Sequence, residues 1–259
     1  MSATRRVGAE FSAALASFLR RRTAVFFTFF FPVILILIFG VLVGTRPTGG
    51  GLFSQPPVYY LPGYLAVVVL FTPLSRVGSE IARHREGNRF EKLATTPLST
   101  AEWLLAHTLV NVAVIGAAGL LLLALVVLTT GAQVVVSVYL LLLVPFVALA
   151  VALFCGLGAV LGRVADSQDG VIAASNAVAL PLLFLSETFV TLDLLPAWFR
   201  PVVDLSPLTY FARGVRAVTS PPAVGAGTDP SLVWLNFGVL AVLAVAFFAA
   251  GAVAIPTTD

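Results

Sequence analysis

Residues 24–44 run for 21 positions without a charged side chain, and largely apolar stretches of similar length return at about 60–80, 103–130, 134–162, 171–188 and 232–255. The hydrocarbon core of a bilayer is crossed by about 20 residues of α-helix. Inside it every backbone N–H and C=O must be satisfied within the protein, which leaves helices and closed barrels as spanning structures. Six runs of this length fit helices. Composition agrees: 59% of the 259 residues are hydrophobic and 10% are charged, where soluble domains carry about a quarter charged. The expected fold is an all-α membrane protein of six transmembrane helices, one domain over residues 1–259, with no stretch polar enough for a separate soluble domain.

The connections carry their own signals. Over residues 5–22, Val7, Phe11, Leu15 and Phe18 recur at helical spacing among Arg6, Glu10, Ser17, Arg20 and Arg21, which predicts an amphipathic helix lying in the interface. The 24–44 run is longer than the 7–15 apolar residues of a secretory signal, so a span is expected there, with Pro32 tolerated inside it. Residues 45–58 (TRPTGGGLFSQPPV) read as a Gly/Pro loop, and Tyr59, Tyr60 and Tyr64 mark the next interface. The small residues Gly156, Gly158 and Gly162 predict close helix contact. Asp166 or Ser167 is expected to cap the fifth span. Between spans five and six, two short extracellular interfacial helices are expected, the second with Ser206 as N-cap and Pro207 at its first position. Trp198, Phe199, Tyr210 and Phe211 would anchor them at headgroup depth.

Counting basic residues on the two sides of this arrangement gives eleven (Arg5, Arg6, Arg20, Arg21, Arg22, Arg76, Arg83, Arg85, Arg89, Lys92, Arg163) against four (Arg46, Arg200, Arg213, Arg216). The positive-inside rule then makes both termini cytoplasmic in a multi-pass protein of the cell membrane. Arg213 and Arg216 are expected to snorkel from the interfacial helix. The basic residues sit at span ends and form no basic and aromatic face, so nucleic acid is not an expected partner; membrane lipid is.

Catalytic chemistry is hard to assemble from what remains. No ionisable residue falls at the centre of an expected span, which disfavours a secondary transporter. His84 and His107 stand too far apart for a metal motif, and Cys155 lies alone in an apolar run. The only lysine, Lys92, follows Glu91 where a phosphate-binding loop needs Gly. No catalytic, cofactor or metal site is expected, and a membrane-embedded scaffold or enzyme remains the other alternative. Asn111, Ser175 and Asn176 are the main polar groups well inside the spans; they either bridge helices or, for Asn111 and Asn176, line a substrate path. Glu187 either joins that path at its outer end or faces water at the interface.

The densest charged segment is residues 83–99, RHREGNRFEKLATTPLS. Its part 85–99 resembles the loop between the second and third spans of ABC-2 type permeases, the membrane subunits of ABC exporters. Residues 181–216, PLLFLSETFVTLDLLPAWFRPVVDLSPLTYFARGVR, are similar to that family's second signature, and the resemblance is nearest to daunorubicin-resistance permeases. It departs at Glu187, where Gly is common, and at Ser206, where Asn is. The resemblance implies an exporter of lipophilic or amphipathic substrate such as a drug or a lipid-linked or polysaccharide-type molecule. It further implies a second permease copy or paralogue, and two separate ATPase subunits that bind ATP and Mg. Residues 83–99 would supply the coupling helix, with Glu86, Gly87, Phe90, Glu91, Leu93 and Pro97 at the contact and Phe90 as its anchor.

Overall fold

Helix α3 (Leu61–Glu86) is the axis of the structure: 78% of its apolar window is buried, against 11% for the first span. The computed structural model of the chain describes residues 2–43, 55–221 and 229–256. Among these there are ten α-helices and no strand. The Gly/Pro loop expected from residue 45, with Arg46, falls mainly outside the described residues.

Helix α1 (Ala3–Arg20) lays Ala14 and Phe18 against Val110 and Val114 of α5 (Thr100–Thr130). The chain breaks at Arg21 and continues as α2 (Arg22–Leu35), which runs on as a π-helical segment, Ile36–Val43. A 3₁₀ turn, Pro57–Tyr60, leads into α3, and α4 (Arg89–Ala94) bridges α3 to α5. After α5, Gly131 adopts φ +64 and ends the helix in the left-handed conformation that glycine favours. Residues 134–137, expected to open the fourth span, are not α-helical; Val135 N–H donates to the Thr219 carbonyl. Helix α6 (Leu143–Val164) then returns, followed by α7 (Gln168–Phe184), α8 (Arg200–Val203), α9 (Pro207–Thr219) and α10 (Pro230–Ala254).

Among the described residues five helical stretches are long and apolar enough to cross a membrane: Arg22–Val43, Pro57–Glu86, Thr100–Thr130, Val138–Val164 and Pro230–Ala254. Helix α7, the expected fifth span, has 17 residues and is apolar but shorter. The hydroxyls of Ser186 and Thr188 both donate to the Leu183 carbonyl, so α7 stops before the expected 188.

The glycine pattern of α6 works on two sides. A Cβ on Gly158 would lie 2.5 Å from the Leu74 carbonyl oxygen, and one on Gly162 2.5 Å from that of Gly78, so α6 and α3 meet backbone to backbone. Gly156 faces the other way, where a Cβ would come within 2.2 Å of the Phe247 carbonyl oxygen on α10. Such approach maximises van der Waals packing where burial against lipid supplies little.

Helix α9 differs from the surface helix expected. Leu208, Phe211, Ala212, Val215 and Val218 are fully or nearly fully buried, and the Phe146 ring fills the space beside Gly214. Phe211 is therefore core, packed among α3, α6 and α10, and not a headgroup anchor. Trp198 is exposed. Ser206 stands at the N-cap position with Pro207 next, but its hydroxyl donates to the Leu182 carbonyl on α7 and leaves the cap unmade.

Candidate functional site

The charged segment is built in three pieces. Residues 83–86 complete the last turn of α3. Gly87 and Asn88 reverse the chain, Asn88 at φ 48 in the left-handed region that Asn tolerates. Helix α4 follows, and Ser99 then opens α5 with a capping box: its hydroxyl accepts from Glu102 N–H while the Glu102 carboxylate accepts from Ser99 N–H. This S-T-A-E signature is plain in the sequence and places the helix start three residues before the expected Trp103.

The reversal turns Phe90 inward. It is 2% exposed, with its ring 5.3 Å from His84 and 5.9 Å from Trp103. Trp103 lies 4.0 Å from the His107 ring, whose Nε2 is 3.3 Å from Glu10 Oε1 on α1. The expectation that Phe90 projects as an external anchor is thus corrected; it fastens α4 to α3 and α5. Glu86, Gly87, Glu91 and Pro97 are exposed and Leu93 is half-buried. Around this aromatic stack the helix ends are tied together. Arg85 Nη1 donates to the carbonyls of Gly162, Arg163 and Ala165 at the end of α6. Gln168 donates from N and Nε2 to the Glu86 carboxylate, linking α7 to α3. Arg6 pairs with Glu102, and that bond raises the arginine above its ordinary pKa.

Beside this end lies a cavity of about 460 Å³ between α1, α2, α3, α5 and α7, lined by Phe27, Phe31 and Phe71, with Arg21, Arg76, Glu80, His107 and Asn176 among its polar lining. Arg76 and Glu80, expected at the end of a span, lie inside an unbroken α3.

At the opposite end, Arg213 and Arg216 do not snorkel. Arg213 Nε donates to Glu187 Oε2 at 3.0 Å, its Nη2 to Oε1, and its Nη1 reaches Asp204 at 2.8 Å. Arg216, 7% exposed, donates to the Glu187 carbonyl and lies 3.9 Å over the Tyr59 ring, with Nη1 3.8 Å from Glu187 Oε2. The bond to Glu187 raises the Arg213 pKa, while burial lowers that of Arg216. Glu187 is buried here, not water-facing, and joins the turn after α7 to α9 and the start of α3. A second cavity of about 400 Å³ opens onto this network.

The expected path residues are therefore not brought together. Asn176 lines the first cavity and Glu187 the second. Asn111 lies buried on α5, its Nδ2 donating to the His107 carbonyl. Ser175 is buried with its hydroxyl unpartnered. Among the described residues no group of His, Cys, Asp and Glu is gathered to hold a metal.

The family described as ABC-2 type transporter matches residues 6–219, a region that includes the α4 segment, both arginine networks and α9. The chain belongs to that family. It is a multi-pass membrane component of an ABC transporter, a transport subunit and not itself an enzyme. It is similar to the inner membrane transport permease YadH of Escherichia coli (strain K12), 27% identical over 212 residues that cover 82% of this chain and 79% of the relative. A shorter likeness, 38% over 58 residues, covers 22% of this chain and 20% of the daunorubicin resistance ABC transporter permease protein DrrB1 of Streptomyces coeruleorubidus.

Proposed function

We propose that this permease exports a lipophilic or amphipathic substrate from the cytoplasm, driven by two ATPase subunits that dock on the α4 segment. The observation that carries the reading is the seating of α4: an exposed Glu91 face outside and a buried Phe90 inside, joined through Trp103 and His107 to α5 and α1. A push on the outer face reaches four helix ends through bonded contacts. Glu86, Gly87, Glu91, Leu93 and Pro97 meet the ATPase and Phe90 transmits. The aromatic cavity wall suits an apolar cargo, and the DrrB1 name points to drug resistance in that relative. ATP and Mg belong to the ATPase, and a second permease copy or paralogue completes the pathway. Reconstitution tests this: the purified chain alone hydrolyses no ATP above background, and with its ATPase it exports lipophilic dyes in an ATP-dependent way. Hydrolysis by the isolated chain, or ATP-independent export, would contradict the reading.

The same proposal has six spans, with α7 as the fifth and both termini cytoplasmic. At 1.5 Å per residue, α7 measures roughly 26 Å, close to the ~30 Å hydrocarbon core. In a Cys155→Ala background, single cysteines at exposed Val136 and Leu205 should react with an impermeant maleimide from outside, and cysteines at exposed Thr95 and Ser167 should not. Outside labelling at Thr95 would reverse the orientation.

A further inference from the structure

Among the described residues Arg76 has no direct ion-pair partner. It sits on α3 ten residues before Glu86, roughly 15 Å inside the helix end. Its Nη1 is buried with no hydrogen-bond partner, and among the described residues no carboxylate lies within ion-pair distance. The guanidinium lies 4.3 Å from the centre of the Phe18 ring, a cation–π contact that recovers less than removing a charge from water costs. The acid one turn on, Glu80, is already engaged: Arg83 bonds to it, His84 Nε2 lies at 3.7 Å and Arg21 Nη2 at 3.8 Å. Two arginines and a histidine thus already converge on that single carboxylate.

The surplus charge faces the 460 Å³ cavity, which Arg21 and Arg76 line together with the hydroxyl-bearing Thr72, Ser75 and Ser79 of α3. Phe27 and Phe31 of α2 and Phe71 of α3 line the same cavity. Glu80 lines the cavity too but is already engaged, so donors, surplus cationic charge and aromatic rings meet in one cavity, a combination that matches a molecule with an anionic head and an apolar body. The amphipathic α1 that roofs the cavity is a helix of the kind that lies at headgroup depth.

We propose that this cavity binds the phosphate head of an acidic amphiphile between Arg21 and Arg76, with its apolar body against Phe27, Phe31 and Phe71. Arg76 gains the anion its burial requires, and the site exists whether or not the bound molecule is transported. The proposal is therefore independent of the ATPase-driven reading and is tested on the permease alone.

The experiment is equilibrium binding of a tail-labelled phosphatidylglycerol to the purified full-length chain in neutral detergent, followed by fluorescence anisotropy. Unlabelled phosphatidylglycerol, phosphatidylcholine of the same chains and glycerol 3-phosphate serve as competitors. The expected result is saturable binding, displaced at least tenfold less readily by phosphatidylcholine and not displaced by a hundredfold excess of glycerol 3-phosphate. Arg76→Gln should weaken it at least tenfold and Arg21→Gln severalfold, while Arg20→Gln, exposed outside the cavity, leaves it unchanged. Equal competition by phosphatidylcholine would overturn the proposal. Displacement by glycerol 3-phosphate would reduce the site to one for free phosphate and overturn the amphiphile. An Arg20→Gln loss as large as that of Arg76→Gln would reveal general attraction between basic surface and acidic lipid, and no site. Should Arg76→Gln not fold, Arg21→Gln, whose side chain is 46% exposed, decides by the same criterion.

Discussion

Phe90→Ala is expected to unseat α4 and abolish ATP-driven export, whereas Glu91→Lys weakens ATPase association and export without touching the fold of the permease. Phe90 is 2% exposed, within ring contact of His84 and Trp103. Truncating a phenylalanine in such a core costs about 3–5 kcal/mol, so thermal unfolding of the isolated permease should move down clearly. Glu91 is exposed, and a surface change of that kind stays within about 0.5 kcal/mol. Its reversal to lysine should instead weaken ATPase association by about tenfold, equivalent to about 1.4 kcal/mol. The paired measurement is thermal unfolding of the permease alone and titration with the ATPase. An unchanged unfolding temperature for Phe90→Ala would mean that Phe90 does not hold α4 in place.

The second large effect is expected at Glu187. Its carboxylate and main-chain carbonyl hold Arg213 and Arg216, and the side chains of Glu187 and Arg216 are each 8% exposed. Removing one partner of a buried pair leaves the other charge uncompensated and costs about 3–5 kcal/mol. Glu187→Ala should therefore lower the unfolding temperature strongly. Arg213→Ala should cost less, because that side chain is 30% exposed and water can take up part of the loss. The double change Glu187→Ala with Arg216→Met should recover much of the stability by removing the stranded cation. If Glu187→Ala alone proves neutral, the network does not bind α9 to the bundle.

Much of this was legible because a bilayer leaves helical periodicity and length with few competitors. The apolar runs mark most of the long helices to within a few residues, and Ser167 caps α7 as its position suggests, accepting from Gly170 N–H at 3.1 Å. The errors have a common cause. Residue type alone places Arg76, Arg213, Arg216 and Phe211 at the surface, yet each meets neighbours that are remote in sequence: Phe18, Glu187, Tyr59 or the helices around α9. The inward turn of Phe90 depends on the left-handed Asn88, one dihedral that a Gly-Asn pair permits without requiring. By contrast, the Ser99 capping box was written in four consecutive residues and needed no tertiary knowledge to find.

Site-specific photo-crosslinking tests the coupling account most directly. A photoreactive amino acid at Glu91, on the exposed face of α4, and another at Val136, exposed in the connection beyond the far end of α5, would be irradiated in native membranes and the products identified by mass spectrometry. The account predicts that position 91 captures a subunit carrying a phosphate-binding loop and that position 136 does not. Capture of that subunit from both positions, or from neither, would contradict it.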